Sequence, residues 1–80
     1  MKLSELKVGQ SGKVLRLNEE NRTIRRHLID MGITKGVLIT IKKVGPMGEP
    51  IDIQLRDYEL CLRKKDLAKI EVEVIIWKLL

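Results

Sequence analysis

The sequence predicts a mainly β chain: a small barrel of about five strands with one short helix inserted after the first strand. Three observations carry this prediction. Apolar and polar residues alternate in several short runs, most plainly Ile51, Ile53 and Leu55 against Asp52, Gln54 and Arg56. Turns rich in glycine and proline separate those runs at regular spacing. A helical period opens the stretch Arg22–Gly36, where Ile24, Leu28 and Met31 fall on one side and Arg22, Arg25 and Arg26 on the other.

Taken in order, Ser4 is placed to cap a single helical turn, with Leu3 and Leu6 folded onto the barrel end. The first strand is expected over Ser11–Leu17, with Leu15 and Leu17 on one face and Val14 on the other. The basic helix follows and ends at Gly32, a residue free to adopt the left-handed conformation just past a helix terminus. Ile29 breaks the helical pattern by falling among the arginines, so it is either covered by a neighbouring strand or offered to a partner. Thr34-Lys35-Gly36 then leads into a second strand in which Val37, Ile39 and Ile41 face inward.

Gly45–Pro50 is a loop, and Ile51–Leu55 the third strand. Asp57-Tyr58 forms a tight link to a fourth strand, where Leu60 and Leu62 flank an oppositely directed Cys61. Lys64–Leu67 is a helical turn, and Ile70, Val72 and Val74 mark the fifth strand. Closure of such a barrel would remove unpaired strand edges. The domain is expected over residues 1–75, with residues 76–80 an apolar tail that either packs on its own barrel or docks on another molecule. Self-association through Ile75–Leu80 is the expectation, since a bare apolar segment is costly in water.

At 80 residues and 44% hydrophobic, the chain suffices for one small domain with a regular core, so its 34% of charged residues does not signal disorder. A single cysteine excludes an internal disulfide and suits a reducing compartment. The opening MKLSELK lacks the apolar run of a signal peptide, and no stretch reaches the ~18–20 apolar residues of a membrane span. The expected location is therefore cytoplasmic. A net charge of +5 permits nucleic acid, anionic lipid or an acidic protein surface as partner and selects none of them.

Reactive chemistry is nearly absent. His27 and Cys61 are the only histidine and cysteine, and no CxxC, HxxxH or HExxH spacing accompanies them. His27 reads first as a semi-buried structural residue and Cys61 as strand packing. As metal ligands they are weak candidates, unless two copies of the chain share a site. Neither has a partner motif for nucleophilic catalysis, and the Gly45–Pro50 loop lacks the Lys-Ser or Lys-Thr of a phosphate-binding loop. No catalytic residue and no cofactor are expected. Nucleic-acid binding would draw on Arg22, Arg25, Arg26, Lys42, Lys43, Arg63, Lys64 and Lys65, but with no Phe, one Tyr and one Trp the stacking platform is missing. What remains is a protein-interaction surface of arginines around exposed aliphatic residues.

The order of segments resembles a known family. LSELKVGQSGKV, then IRRHLIDMGITKGVLITI, then GPMGEPIDIQLRDYELCLRKKDLAKI look like the FeoA proteins of ferrous-iron transport, over about residues 2–74. The most specific parts are Arg-Arg-x-Leu-x-x-Met-Gly-Ile-x-x-Gly at 25–36, Gly-x-Pro-Ile at 48–51 and Leu-x-Leu-Arg-Lys at 60–64. The resemblance implies an SH3-like barrel acting beside FeoB, the membrane-embedded transporter with a cytoplasmic GTPase domain. It also carries a label of transition-metal binding, and a related barrel ends the metal-dependent repressors, whose helix-turn-helix domain this sequence lacks. Departures are small: Val8 replaces a common proline, Asp57 a frequent glycine, and the tail runs past the usual end. The implied role is a non-enzymatic accessory of ferrous-iron uptake. The alternatives are a small basic barrel that binds nucleic acid and a ferrous-iron or zinc carrier. The expected partner surface joins the Arg22/Arg25/Arg26 helix to the Gly45–Pro50 loop, with Arg25 and Arg26 pairing to acidic groups and Ile29 and Met47 giving apolar contact. These residues have no intramolecular role in the period reading.

Overall fold

The computed structural model describes residues 1–76. A 3₁₀ turn at Leu3–Glu5 precedes β1 (Ser11–Leu17), α1 (Arg22–Asp30), β2 (Leu38–Val44), β3 (Ile51–Leu55), β4 (Tyr58–Leu62), α2 (Lys64–Leu67) and β5 (Ile70–Ile75). The five strands form one antiparallel sheet in the order β4-β3-β2-β1-β5. Every strand contributes to a single core: Val14 from β1, Ile39 and Ile41 from β2, Ile51, Ile53 and Leu55 from β3, Leu62 from β4, and Ile70 and Val72 from β5. The inward residues are those that the period-2 alternation selects. The chain thus folds as the small five-stranded barrel with an inserted helix that the pattern predicts.

Four details differ from the sequence reading. Ser4 is not the cap of the first turn; Lys2 occupies that position, and its backbone N–H donates to Glu5 Oε1 at 2.8 Å. The β3–β4 hairpin turns at Arg56-Asp57, while Tyr58 already pairs with Leu55. Arg56 takes φ +54 there, a conformation a Cβ makes costly. Register shifts interrupt β1 between Val14 and Arg16 and β2 between Ile41 and Lys43. Such bulges bend a strand and re-aim its side chains. Finally, no ladder joins β4 to β5 among the described residues. That seam is bridged by α2, whose buried Leu67 packs into the core beside Leu3 of the first turn.

The tail expected over residues 76–80 lies outside the described residues except for Ile76, which is exposed.

Helix α1 is placed by its ends. Asn21 Oδ1 accepts from the N–H groups of Thr23 (3.0 Å) and Ile24 (3.1 Å), satisfying donors that a first turn leaves open. At the other end Gly32 adopts φ +98, Gly32 N donates to Ile29 O at 2.9 Å and Ile33 N donates to Leu28 O at 3.0 Å. This is a Schellman closure, with the buried pair Leu28 and Ile33 as its apolar contact. The Tyr58 hydroxyl donates to the Met31 carbonyl and ties the helix end to β4.

Gly12 serves close approach. A Cβ built there would lie 2.8 Å from Val72 Cγ2, 2.9 Å from Val72 Cβ and 3.2 Å from Leu6 Cδ1. β5 and the N-terminal segment therefore pack directly against bare β1 backbone. Gly12→Ala is expected to destabilise the domain by about 1–3 kcal/mol through overpacking, measured as a lowered midpoint in urea with an unchanged slope.

Candidate protein-interaction surface

Two grooves flank α1, one on each side. The first runs between α1 and the outer half of β1. β2 pairs with β1 only from Ser11 to Lys13, and backbone bonds from Val14 N to Val37 O and from Gly36 N to Val14 O end the contact. Beyond that point the chain turns away through Thr34–Gly36, leaving a groove of about 470 Å³. Its apolar lining is Leu15, Leu17, Ile29 and Ile33, and its charged lining is Arg16, Arg25 and Lys35, with Thr34 beside them. Leu15 is 38% exposed and Ile29 37%. Ile29 is thus neither covered by β1 nor fully free: it stands over β1 with more than a third of its surface open.

The second groove, of about 370 Å³, lies between the opposite side of α1 and the start of α2. Ile24, His27 and Met31 line it from the helix, and Pro50, Cys61, Arg63 and Asp66 from the other wall. His27 and Cys61, the two metal candidates, therefore share a groove. Among the described residues, however, no group of three or more His, Cys, Asp or Glu side chains is assembled that could hold a metal ion. The donor set does not fit a resident metal. The Cys61 thiol is held above its ordinary pKa, first by a hydrogen bond with the cross-strand Asp52 carboxylate, then by desolvation and the Asp52 charge. A raised pKa lowers the thiolate fraction that metal binding and nucleophilic attack both require.

The structure divides the five expected contact residues. Arg25 and Ile29 line the first groove, whereas the Gly45–Pro50 loop reaches the second through Pro50. Met47 lines neither and stands 92% exposed at the loop tip. The loop is fixed from within by Gly45 N donating to Pro50 O (2.9 Å), and at its end by Lys64 N donating to Glu49 Oε1 (2.7 Å).

The arginines differ too. Arg25 has an intramolecular role after all: its Nη1 donates to the Leu17 carbonyl at 2.8 Å, pinning helix to strand. Arg26 makes only an exposed pair with Asp30 at 3.7 Å, and Arg22 forms no ion pair among the described residues. Leu15, Arg16 and Lys35 were not singled out by sequence reasoning as contact residues. The alternation that sets Leu15 opposite Val14 was the available signal, but the first groove exists only because β2 leaves β1 early.

No helix among the described residues is long and apolar enough to cross a membrane. A curled five-stranded antiparallel sheet with one inserted helix defines a small SH3-like barrel. The FeoA domain profile matches residues 1–74, and the chain belongs to the FeoA family. It is 37% identical over 75 residues to an Fe(2+) transport protein A/Fe(2+) transporter FeoB fusion protein of Porphyromonas gingivalis, covering 94% of this chain and 9% of that one. The chain thus corresponds to a small part of that relative. The solution structure of a FeoA-like protein from Clostridium acetobutylicum superposes with a TM-score of 0.88 at 38% identity, covering 98% of this chain and 90% of the other. Stenotrophomonas maltophilia FeoA, crystallised with zinc and described as a procaryotic SH3 domain protein, superposes at 0.80 with 30% identity, over 91% and 89% of the two chains.

Two measurements check these assignments. Arg25→Ala should cost about 1 kcal/mol of stability through the lost bond to Leu17, and Arg26→Ala less than about 0.5 kcal/mol, compared by urea unfolding. Asp52→Ala should lower the Cys61 pKa, so iodoacetamide at pH 8 should alkylate the folded variant faster than the wild type.

Proposed function

We propose that this chain is a non-enzymatic cytoplasmic accessory module of ferrous-iron transport that binds the cytoplasmic part of a FeoB-type transporter. The observation that carries this reading is the relative in which the matching domain is covalently joined to FeoB. Fusion raises the effective concentration of two modules that meet, without requiring any new contact between them. The structure fits such a role: α1 is closed at both ends and has a groove on either side, one of them lined by Arg25 and Ile29.

Catalysis by this chain alone has no support among the described residues, where no cluster of metal ligands forms and the thiol is pushed toward its neutral state. Single-strand nucleic-acid binding is disfavoured as well. Tyr58, one of two aromatic residues in the sequence, is tied through its hydroxyl to the Met31 carbonyl, and one partly exposed ring is not a stacking platform.

Purified chain should retain the cytoplasmic region of the FeoB-type transporter encoded in the same genome in an affinity pull-down, and deletion of its gene should reduce uptake of radiolabelled ferrous iron. Normal uptake together with no detectable retention would refute the role.

A further inference from the structure

We infer that the groove between β1 and α1 is the docking site for an acidic peptide segment of the protein partner, one that carries aliphatic side chains between its carboxylates. This deepens the reading above and rests on it.

Charge and apolarity coincide in this groove. Leu15 and Ile29 stand more than one third exposed on opposite walls. Fully buried Ile33 lies at the base between them. Arg16, Arg25 and Lys35 supply the charge, and no carboxylate is among the lining residues. The second groove differs in just this respect, because Asp66 lines it and pairs with Arg63 at 3.5 Å. Glu71 lies opposite Arg16 on β5, but Arg25 and Lys35 have no ion-pair partner among the described residues. A cationic lining that holds no carboxylate favours an anionic occupant, and an apolar base favours one with aliphatic groups.

Arg25 links the two properties. One of its guanidinium nitrogens donates to the Leu17 carbonyl, which fixes the side chain along the groove. A guanidinium carries five N–H donors in a planar fork, so donors remain for a carboxylate after that bond is made. The walls are set by the α1 closure at Gly32 and by the β1 bulge, so little ordering is needed when a ligand arrives. A polypeptide with carboxylates flanking Leu, Ile or Val satisfies both features at once. A lipid headgroup would satisfy only the charges.

The test titrates ¹⁵N-labelled chain with the purified cytoplasmic region of the FeoB-type transporter, and measures affinity for Ile29→Glu, Lys35→Glu, Arg22→Glu and Met47→Glu. Lys35 lies in an exposed turn, so its variant keeps the test valid if Ile29→Glu unfolds; each variant's melting temperature is recorded. Amide shifts should centre on Leu15, Leu17, Ile29 and Lys35. Ile29→Glu and Lys35→Glu should each weaken binding about tenfold or more, Arg22→Glu and Met47→Glu by less than about threefold, and binding should weaken as salt rises.

Binding lost equally in all variants, or shifts centred on Pro50 and Cys61, would overturn the groove assignment while leaving the partner reading intact. An absence of binding by the wild type would overturn both. Phosphatidylglycerol vesicles that shift the same amides more strongly than the transporter region, or self-association that Ile29→Glu abolishes, would assign the groove to a membrane or to a second copy instead.

Discussion

Ile33 is the point on which the arrangement of this domain turns. Its side chain is fully buried, and its N–H reaches back to the Leu28 carbonyl, so helix and following turn close onto the sheet as one unit. A nine-residue helix is too short to be stable in water on its own. Burial of Leu28 and Ile33, each worth about 1.5–3 kcal/mol if wholly removed from water, supplies what propensity cannot. Gly32 makes the reversal possible: at φ +98 a Cβ would be strained, and it would also collide with the Tyr58 hydroxyl that secures Met31. With that end fixed, the rotation of α1 is no longer free. Arg25 and Ile29 must look toward β1, while Ile24 and His27 look toward β4 and α2.

The strands were legible because burial on one face of a pleated sheet leaves a period of two in the sequence. Ile39, Ile41, Ile51, Ile53, Leu55, Ile70 and Val72 all lie where the alternation puts them. The helix stop at Gly32 was legible for a related reason, since few residues other than glycine tolerate that backbone. The bulges in β1 and β2 left no comparable mark, because an extra residue in one strand is defined only against its partner. The bonds that shape the candidate surface are also silent in sequence. Arg25 to Leu17, Lys64 to Glu49 and Tyr58 to Met31 connect residues 8, 15 and 27 positions apart. A period reading of α1 sees three arginines on one side and treats them alike. Tertiary contact separates them into a strand anchor, a helix-surface ion pair and a cation with no ion pair among the described residues. The same limitation explains why Met47 and Ile29 looked like one patch: both are apolar and unaccounted for, yet they line different regions.

Several carboxylates are taken up by separate structural contacts. Glu5 closes the first turn, Asp30 pairs with Arg26, Glu49 receives Lys64 N–H, Asp66 pairs with Arg63, and Glu71 pairs with the terminal ammonium. The last interaction, led by its hydrogen bond, holds the Glu71 carboxyl below its ordinary pKa. These acids are distributed among separate structural contacts and do not converge as a general acid–base pair would require.

Leu15 and Ile29 occupy an intermediate position that packing alone does not demand. Core residues such as Ile33 and Ile39 are wholly enclosed, and removing them would leave cavities. Leu15 and Ile29 retain more than one third of their surface in contact with water, so part of their apolar area contributes nothing to the folded state. That unspent area lies beside Arg25, whose bond to Leu17 holds a cation next to it. Covering the two aliphatic side chains requires an apolar group from outside, and the neighbouring cations favour one that arrives with negative charge. The hydrophobic and electrostatic requirements therefore converge on one kind of visitor, and the contact that joins them is the bridge from α1 to β1.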